Sequence, residues 1–413
     1  MDVAGDRSGG GQVPGTRRPI PNTHVHLPPN FSAFDTVEDA VETAAAEGIL
    51  VLGASNFHDH RIYRRFADAT EVTGIVPLFG LEVISVDDSL RDAGTRVNDP
   101  GNPGRMYLSG KGIDPFATPT AAGARLLARV RAADADRMRA MVPLLDACFT
   151  RAGLQTGLDA ESIADEVAER AGVPREWVVL QERHVAMAFQ DALFRIVAPE
   201  GRRALLARAF EGPVDAPVDE RIAIQGEIRS RLMKSGRPAF VPESPVSFDD
   251  AYRLVLELDG IPCYTTLADG ASPVCPWEEP PDALAQRVLG RGIHVAELIP
   301  NRNQPAVVDA YVAAFRDVGI VVMAGTEHNT RERIPLEPRC VDGSLPSPVA
   351  RAAFWEATCV VAAHQRLRAS GRQGYVDREG RLDPGFPDGE TRIRWFAEEG
   401  AELVHAASPA MAR

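Results

Sequence analysis

Positive charge, cysteine and long apolar runs are all in short supply in these 413 residues. Lysine and arginine number 45 against 58 aspartates and glutamates, a formal charge of −13 with the acidic groups spread along the chain. A nucleic-acid partner needs a positive surface to meet its phosphates, so that partner class is not expected. No stretch approaches the roughly 18 to 20 uninterrupted apolar residues of a membrane span, which predicts a soluble chain. The five cysteines, Cys148, Cys263, Cys275, Cys340 and Cys359, are odd in number and lack close metal-ligand spacing. They argue against a disulfide framework or a zinc knuckle and fit a reducing cytoplasm. Residues 1–18 are glycine-rich and carry Arg17 and Arg18, but no apolar segment follows, so no export signal is expected and they read as a flexible arm.

What the chain does have is a repeated punctuation. Five Gly-Ile pairs, Gly48-Ile49, Gly74-Ile75, Gly260-Ile261, Gly292-Ile293 and Gly319-Ile320, each open a short apolar run. Glycine closes a helix in the left-handed conformation, and near-continuous apolar runs suit strands buried on both faces, as parallel strands are. Amphipathic stretches fill the intervals, such as the one with Val37, Ala40, Val41, Ala44 and Ala45 at helical spacing. Capping patterns, Thr36 with Asp39 and Ser247 with Asp250, mark two helix starts. With residues 19–27 and 106–111 added as strands, about seven strands alternate with helices. The expected fold is α/β, a distorted (β/α)7 TIM-like barrel. Residues 117–240 break the rhythm and read as a helical cap inserted between barrel parts 19–116 and 241–370. A C-terminal extension, 371–413, follows, with a helix expected over 391–407.

Polar residues stand where strands end. His24 and His26 share one face of the first strand because side chains alternate, so both can grip one ion. Glu82 sits inside an apolar stretch, where a carboxylate is costly unless paired, hydrogen-bonded or bound to a cation. His58 follows the second run, with Asp59 and His60. Glu327 and His328 close the seventh; on a regular strand they would point apart, so both reach one centre only if the chain turns there. Candidate anion-binding groups are Lys111, Asn301, Arg302, Asn329 and, in the insertion, Arg183, with His184 able to overhang the site. Parallel β/α folds carry their chemistry at the carboxyl ends of strands, which gathers these residues at one rim.

These motifs resemble the PHP superfamily, the polymerase and histidinol phosphatase group of metal-dependent phosphoesterases. His24-Val25-His26 resembles its first motif, Glu82 its single third-strand glutamate, and Gly325-Thr326-Glu327-His328 its closing motif. Arg183-His184-Val185-Ala186 is similar to a segment of cap-bearing members whose histidine approaches the substrate phosphate. The resemblance covers about residues 19 to 370. It also has gaps: Asn56-Phe57 stands where the family has Asp-His, Thr265-Thr266 replaces a metal histidine with Asp269 nearby, and the closing Asp-x-His is Glu327-His328. What it implies is a hydrolase using one or two divalent ions, zinc, manganese or iron, rather than three. The ligands would be His24, His26, Glu82, His58, Glu327 and His328. Glu327, His328 and His184 would do the chemistry on a small anionic metabolite. Two alternatives stay open: a sugar or sugar-acid lyase or isomerase in which Glu297, Glu327 or His328 moves protons, and a non-catalytic ligand-binding relative.

Overall fold

The computed structural model describes residues 19–407; the arm expected over 1–18 lies outside them. Eight strands form one sheet: β1 (Ile20–Val25), β2 (Ile49–Ala54), β3 (Val76–Val86), β4 (Arg105–Lys111), β5 (Val246–Ser247), β6 (Ile261–Thr266), β7 (Val295–Leu298) and β8 (Val321–Ala324). Their order is β1-β2-β3-β4-β6-β7-β8, with the two-residue β5 added to β3. The ends of that path meet, because the His26 N–H donates to the Glu327 carbonyl at 2.9 Å and the Glu327 N–H to the His24 carbonyl at 2.8 Å. The result is an α/β barrel, nearly closed.

Four of the five Gly-Ile glycines take the left-handed conformation that ends a helix, with φ of 75° at Gly48, 73° at Gly74, 72° at Gly292 and 77° at Gly319. Before the fifth, Asp259 takes that conformation instead (φ 59°). Gly260 is required for a different reason: a Cβ there would press into Ile113. Both caps read from the sequence form, with Thr36 Oγ1 accepting from the Asp39 N–H and Ser247 Oγ from the Asp250 N–H, each at 3.1 Å.

One strand departs from the parallel expectation. β4 runs antiparallel to both β3 and β6. The segment between β3 and β4 holds only the five-residue helix Asp88–Asp92 and no longer helix of the kind that usually carries a parallel crossover. β4 therefore carries its amino end, not its carboxyl end, to the rim where the parallel strands finish. From its far end the 31-residue helix Ala121–Arg151 climbs back along the barrel, a length of about 46 Å at 1.5 Å per residue. Its first half packs Leu127 and Val130 into the barrel core, and its second half packs Met141, Leu145 and Phe149 into a separate core. Helices Ala160–Ala171, Glu182–Ile196, Pro199–Ala209 and Arg221–Ile228 complete that second core around Phe189, Leu206 and Ile224.

The C-terminal helix, Gly389–Ala407, lies across helix Pro348–Ala369. The crossing is close enough that a Cβ on Gly400 would collide with the Cys359 carbonyl. Among the described residues no helix is long and apolar enough to cross a membrane.

Candidate metal centre and anion cavity

β1 ends between two strands that approach it very closely. Gly53 of β2 and Gly325 after β8 leave no room for a side chain, since a Cβ on the first would strike the Thr23 carbonyl and on the second the His24 Cβ. This squeeze fixes the backbone at Thr23 and His24. Strand alternation then turns His24 and His26 to one side, as the spacing predicts, and their rings lie 5.2 Å apart, centroid to centroid. Glu82 meets them from β3, where the Asn56–His58 segment pairs alongside it, the Glu82 N–H donating to the Asn56 carbonyl at 3.0 Å. The Glu82 carboxylate stands 3.7 Å from His24 Nε2 and 3.4 Å from His26 Nε2. One ligand atom from each of the three residues lies within 4.8 Å of the others.

Both Nε2 atoms are buried and have no hydrogen-bond partner among the described residues. Buried polar atoms are normally satisfied, so a pair of orphaned imidazole nitrogens facing one carboxylate calls for a further partner. Two nitrogens and a carboxylate oxygen form a donor set suited to zinc or another first-row divalent ion, and three protein ligands leave a coordination position open. Electrostatics point the same way. Burial and Lys111 would lower the His24 pKa, but Glu297 and Glu82 raise it to about 9. Burial would raise Glu82, yet the two histidines hold it well below the usual carboxylate range. The Glu82 carboxylate is thus kept in the ionised form that a cation would bind.

Glu82 forms part of the wall of a cavity of about 390 Å³ between the barrel rim and the insertion. Arg183 and Arg229 come from the insertion, and Arg302, Glu327 and Asn329 from the loops after β7 and β8. Arg183 makes no ion pair among the described residues. Its guanidinium is pulled down to about 10 by burial, then by Arg229 and Arg302, with Glu327 opposing. A cationic group desolvated beside two others, without a carboxylate of its own, is a seat for an anion. Glu327 Oε2 is held by Arg302 and by Asn329 Nδ2, the latter at 2.7 Å.

Several residues expected at the centre are turned away from it. The chain does turn at Glu327 and His328, both left-handed at φ 61° and 50°, but the turn separates them. Glu327 enters the cavity. His328 swings behind it onto Phe34, with Nδ1 bonded to Thr326 Oγ1 at 2.7 Å and Nε2 to the Ile334 carbonyl at 3.0 Å, so it is neither ligand nor proton carrier there. His184 is a helix cap: Nδ1 accepts from the Gln181 N–H at 3.1 Å, and burial, then Arg170, lower its pKa to about 3. His58 pairs with Asp134 Oδ2 at 2.7 Å and faces a small side cavity, away from His24 and His26. Asn301 is off the cavity wall, although its neighbours Ile299 and Arg302 line it.

Lys111 is corrected for a reason of topology. It ends an antiparallel strand, so it sits deep in the barrel opposite Gly80 and Ile261 rather than at the rim. There it donates to Glu297, Thr23 and Ser55. The positions where family ligands are lost have taken structural work. Asn56 staples β2 to β1 through both backbone groups of Leu27, and Asp269 accepts from Asn303 and the Gln304 N–H. Reading the sequence also missed Arg229, Arg137, Glu182, Lys234 and Tyr107, which line the cavity. All but Tyr107 lie in the insertion, Lys234 just past a helix end, and periodicity alone does not aim an insertion at a particular strand end.

No protein-family model and no curated protein matches the chain. The chain is similar to several solved structures, among them these two. One, from Bifidobacterium adolescentis and provisionally named a metal-dependent phosphoesterase, is 15% identical with a TM-score of 0.55, over 82% of this chain and 96% of that one. The other, an amidohydrolase from Chromobacterium violaceum with bound sulfate and no metal, is 16% identical with a TM-score of 0.49, over 81% of this chain and 96% of that one. At 15% identity the likeness to the first is one of fold.

Proposed function

We propose that the chain is a metal-dependent hydrolase that cleaves a phosphoester of a small anionic metabolite, with one divalent ion held by His24, His26 and Glu82. The observation that carries this reading is the pair of orphaned Nε2 atoms beside Glu82, which lines a cavity that Arg183 lines as well. The name of the Bifidobacterium neighbour, which shares the fold, agrees with it. Bound there, a divalent ion supplies Lewis acidity toward an ester oxygen and lowers the pKa of water. Arg183, Arg229 and Arg302 hold the anion and balance the charge that grows as the ester bond breaks. Glu327, fixed through Oε2 by Arg302 and Asn329, keeps Oε1 without a hydrogen-bond partner among the described residues, free to take a proton from the attacking water. Insertion residues, among them Arg137, Arg183 and Arg229, form one side of the cavity. We read the low cysteine count as agreeing with a reducing, cytoplasmic setting.

The lyase or isomerase alternative needs acid and base groups around a carbonyl substrate. Of its three candidates, Glu297 and His328 are absent from the cavity wall and only Glu327 faces it, so nothing favours that reading.

Elemental analysis of purified protein, with phosphate release from a panel of phosphate monoesters, tests the proposal. We expect about one equivalent of zinc, manganese or iron, and both metal and activity lost in His24→Ala. A metal-free protein whose turnover survives that substitution would refute it.

A further inference from the structure

Beneath the candidate ion site lies a fully buried group of charges that the reading above does not use. Glu297 of β7 is 0% exposed, and each of its carboxylate oxygens is committed. Oε2 accepts from His24 Nδ1 at 2.7 Å. Oε1 accepts from Thr23 Oγ1 and from Lys111 Nζ, both at 2.8 Å. Lys111 spends its other two donors on the Thr23 carbonyl at 3.1 Å and Ser55 Oγ at 3.0 Å. Neither charge lines the cavity, so neither can touch a substrate.

An ion pair this deep is a poor device for stability alone, because an apolar pair of similar volume usually serves as well or better. What the pair does specify is the His24 ring. We infer that Glu297, locked in place by Lys111 and Thr23, is a positioning residue for the ion: it holds His24 with Nδ1 protonated and Nε2 bare and aimed beside Glu82. Carboxylates that accept the distal N–H of a ligating histidine fix its tautomer and orientation in this way and make it a better donor. The contrast within the pair supports the assignment. His26 Nδ1 has only Asn30 Oδ1 at 3.4 Å, a marginal bond, so His24 is the rigid anchor and His26 the adaptable ligand. The Gly53 and Gly325 squeeze on the β1 backbone completes the frame, leaving Glu297 to settle the one remaining freedom, the ring.

This inference rests on the ion site proposed above, and its test separates the two. The full chain, stripped with chelator, is titrated with zinc or manganese alone by calorimetry, as wild type, as Glu297→Gln and as the double variant Lys111→Met/Glu297→Gln. Circular dichroism and melting curves report folding. The double variant leaves no unpaired buried charge and so covers the case in which Glu297→Gln does not fold. We expect ion affinity to fall about 10- to 100-fold in the folded variants, and the cobalt-loaded absorption spectrum to shift. A merely structural role would lower melting temperature and leave both unchanged. Long-range ¹H–¹⁵N spectra of zinc-loaded, histidine-labelled wild type require no variant: a His24 ring protonated on Nδ1 and ligated through Nε2 is expected. Folded variants with wild-type ion affinity, or His24 ligated through Nδ1, would overturn the inference while leaving the ion site standing. A wild type that binds neither ion would overturn both.

Discussion

Single residues decide most of what happens at the β1 rim, and two of them give sharp tests. Gly325→Ala places a methyl group against the His24 Cβ, with no flexible side chain to give way, so β1 and β8 must separate. We expect loss of ion binding in titrations and destabilisation of about 1–3 kcal/mol by urea unfolding, the usual cost of overpacking. Arg183→Met removes a cavity guanidinium that has no ion-pair partner among the described residues, so the fold should be unaffected. Inorganic phosphate should bind the zinc-loaded variant about 10- to 100-fold more weakly, the loss expected for one hydrogen bond to a charged group, while zinc affinity stays at the wild-type value. The three residues that converge are also those most legible in the sequence. His24 and His26 were readable from the two-residue period of a strand, and Glu82 from the cost of a lone carboxylate in an apolar run. His328, His184 and His58 were not, because where an imidazole points in a turn or helix cap depends on local dihedrals and on distant partners such as Ile334 and Asp134. No spacing rule encodes those.

Elements were legible where their boundaries carry a chemical signal. The Gly-Ile punctuation located β2, β3, β6, β7 and β8 because a left-handed cap or a close approach demands glycine there. The direction of β4 was hidden, since an apolar run reads the same both ways, and with it went the placement of Lys111. The insertion was recognisable as helices, but the contacts that aim it at the barrel are ionic and long-range. Glu182 is the hub, bonded to Arg137, Arg229 and Lys234, while Arg137 and Arg105 share Glu243 across the gap to the barrel. Burial would raise the Glu182 pKa, but Lys234 and Arg137 hold it at about 2. A depressed carboxylate contributes stability above its unfolded value, near 4.5, and loses it as pH falls toward 2. Glu182→Gln leaves three cations around a neutral amide; the expected cost is about 3 kcal/mol, the lower end for a broken buried pair because Lys234 is half exposed. Hydrogen exchange should locate the loss in Glu182–Ile196 and Arg221–Ile228 and spare the barrel strands. Uniform loosening of barrel and insertion would count against a hub role.

At the scale of the whole molecule, most of the nine histidines serve the fold rather than the site, and that has a consequence for acid stability. Burial is the leading cause that lowers His184 to about 3, and His294 and His364 to about 4. His364 shows how such a group is built in. Nε2 donates to the Asp259 carbonyl at 2.8 Å and Nδ1 accepts from the Tyr375 N–H at 3.0 Å, so the neutral ring ties helix Pro348–Ala369 to the β6 approach and to the C-terminal extension. Each of these rings gains its proton near pH 6.5 when unfolded and only near 4 or below when folded. The unfolded chain therefore binds more protons in between, and stability must rise with pH there and be lost as pH falls from about 6.5 toward 4. Carboxylates held low, such as Glu182, add to the loss at the acid end, where the unfolded group takes up its proton near 4.5, whereas Glu278, raised by burial to about 7, offsets about one ring. Each ring accounts for up to about 1.4 kcal/mol per pH unit. Urea unfolding at pH 7, 6 and 5 should show a steep decline in free energy, and His364→Gln should reduce the slope by about that single-group share while lowering stability at pH 7. A pH-independent unfolding free energy across this range, or an unchanged slope in the variant, would mean that the rings are hydrated in solution rather than sealed in the core. The ion site would then need re-examination too, since the same closed packing around β1 and β8 is what leaves Nε2 of His24 and of His26 without a hydrogen-bond partner among the described residues.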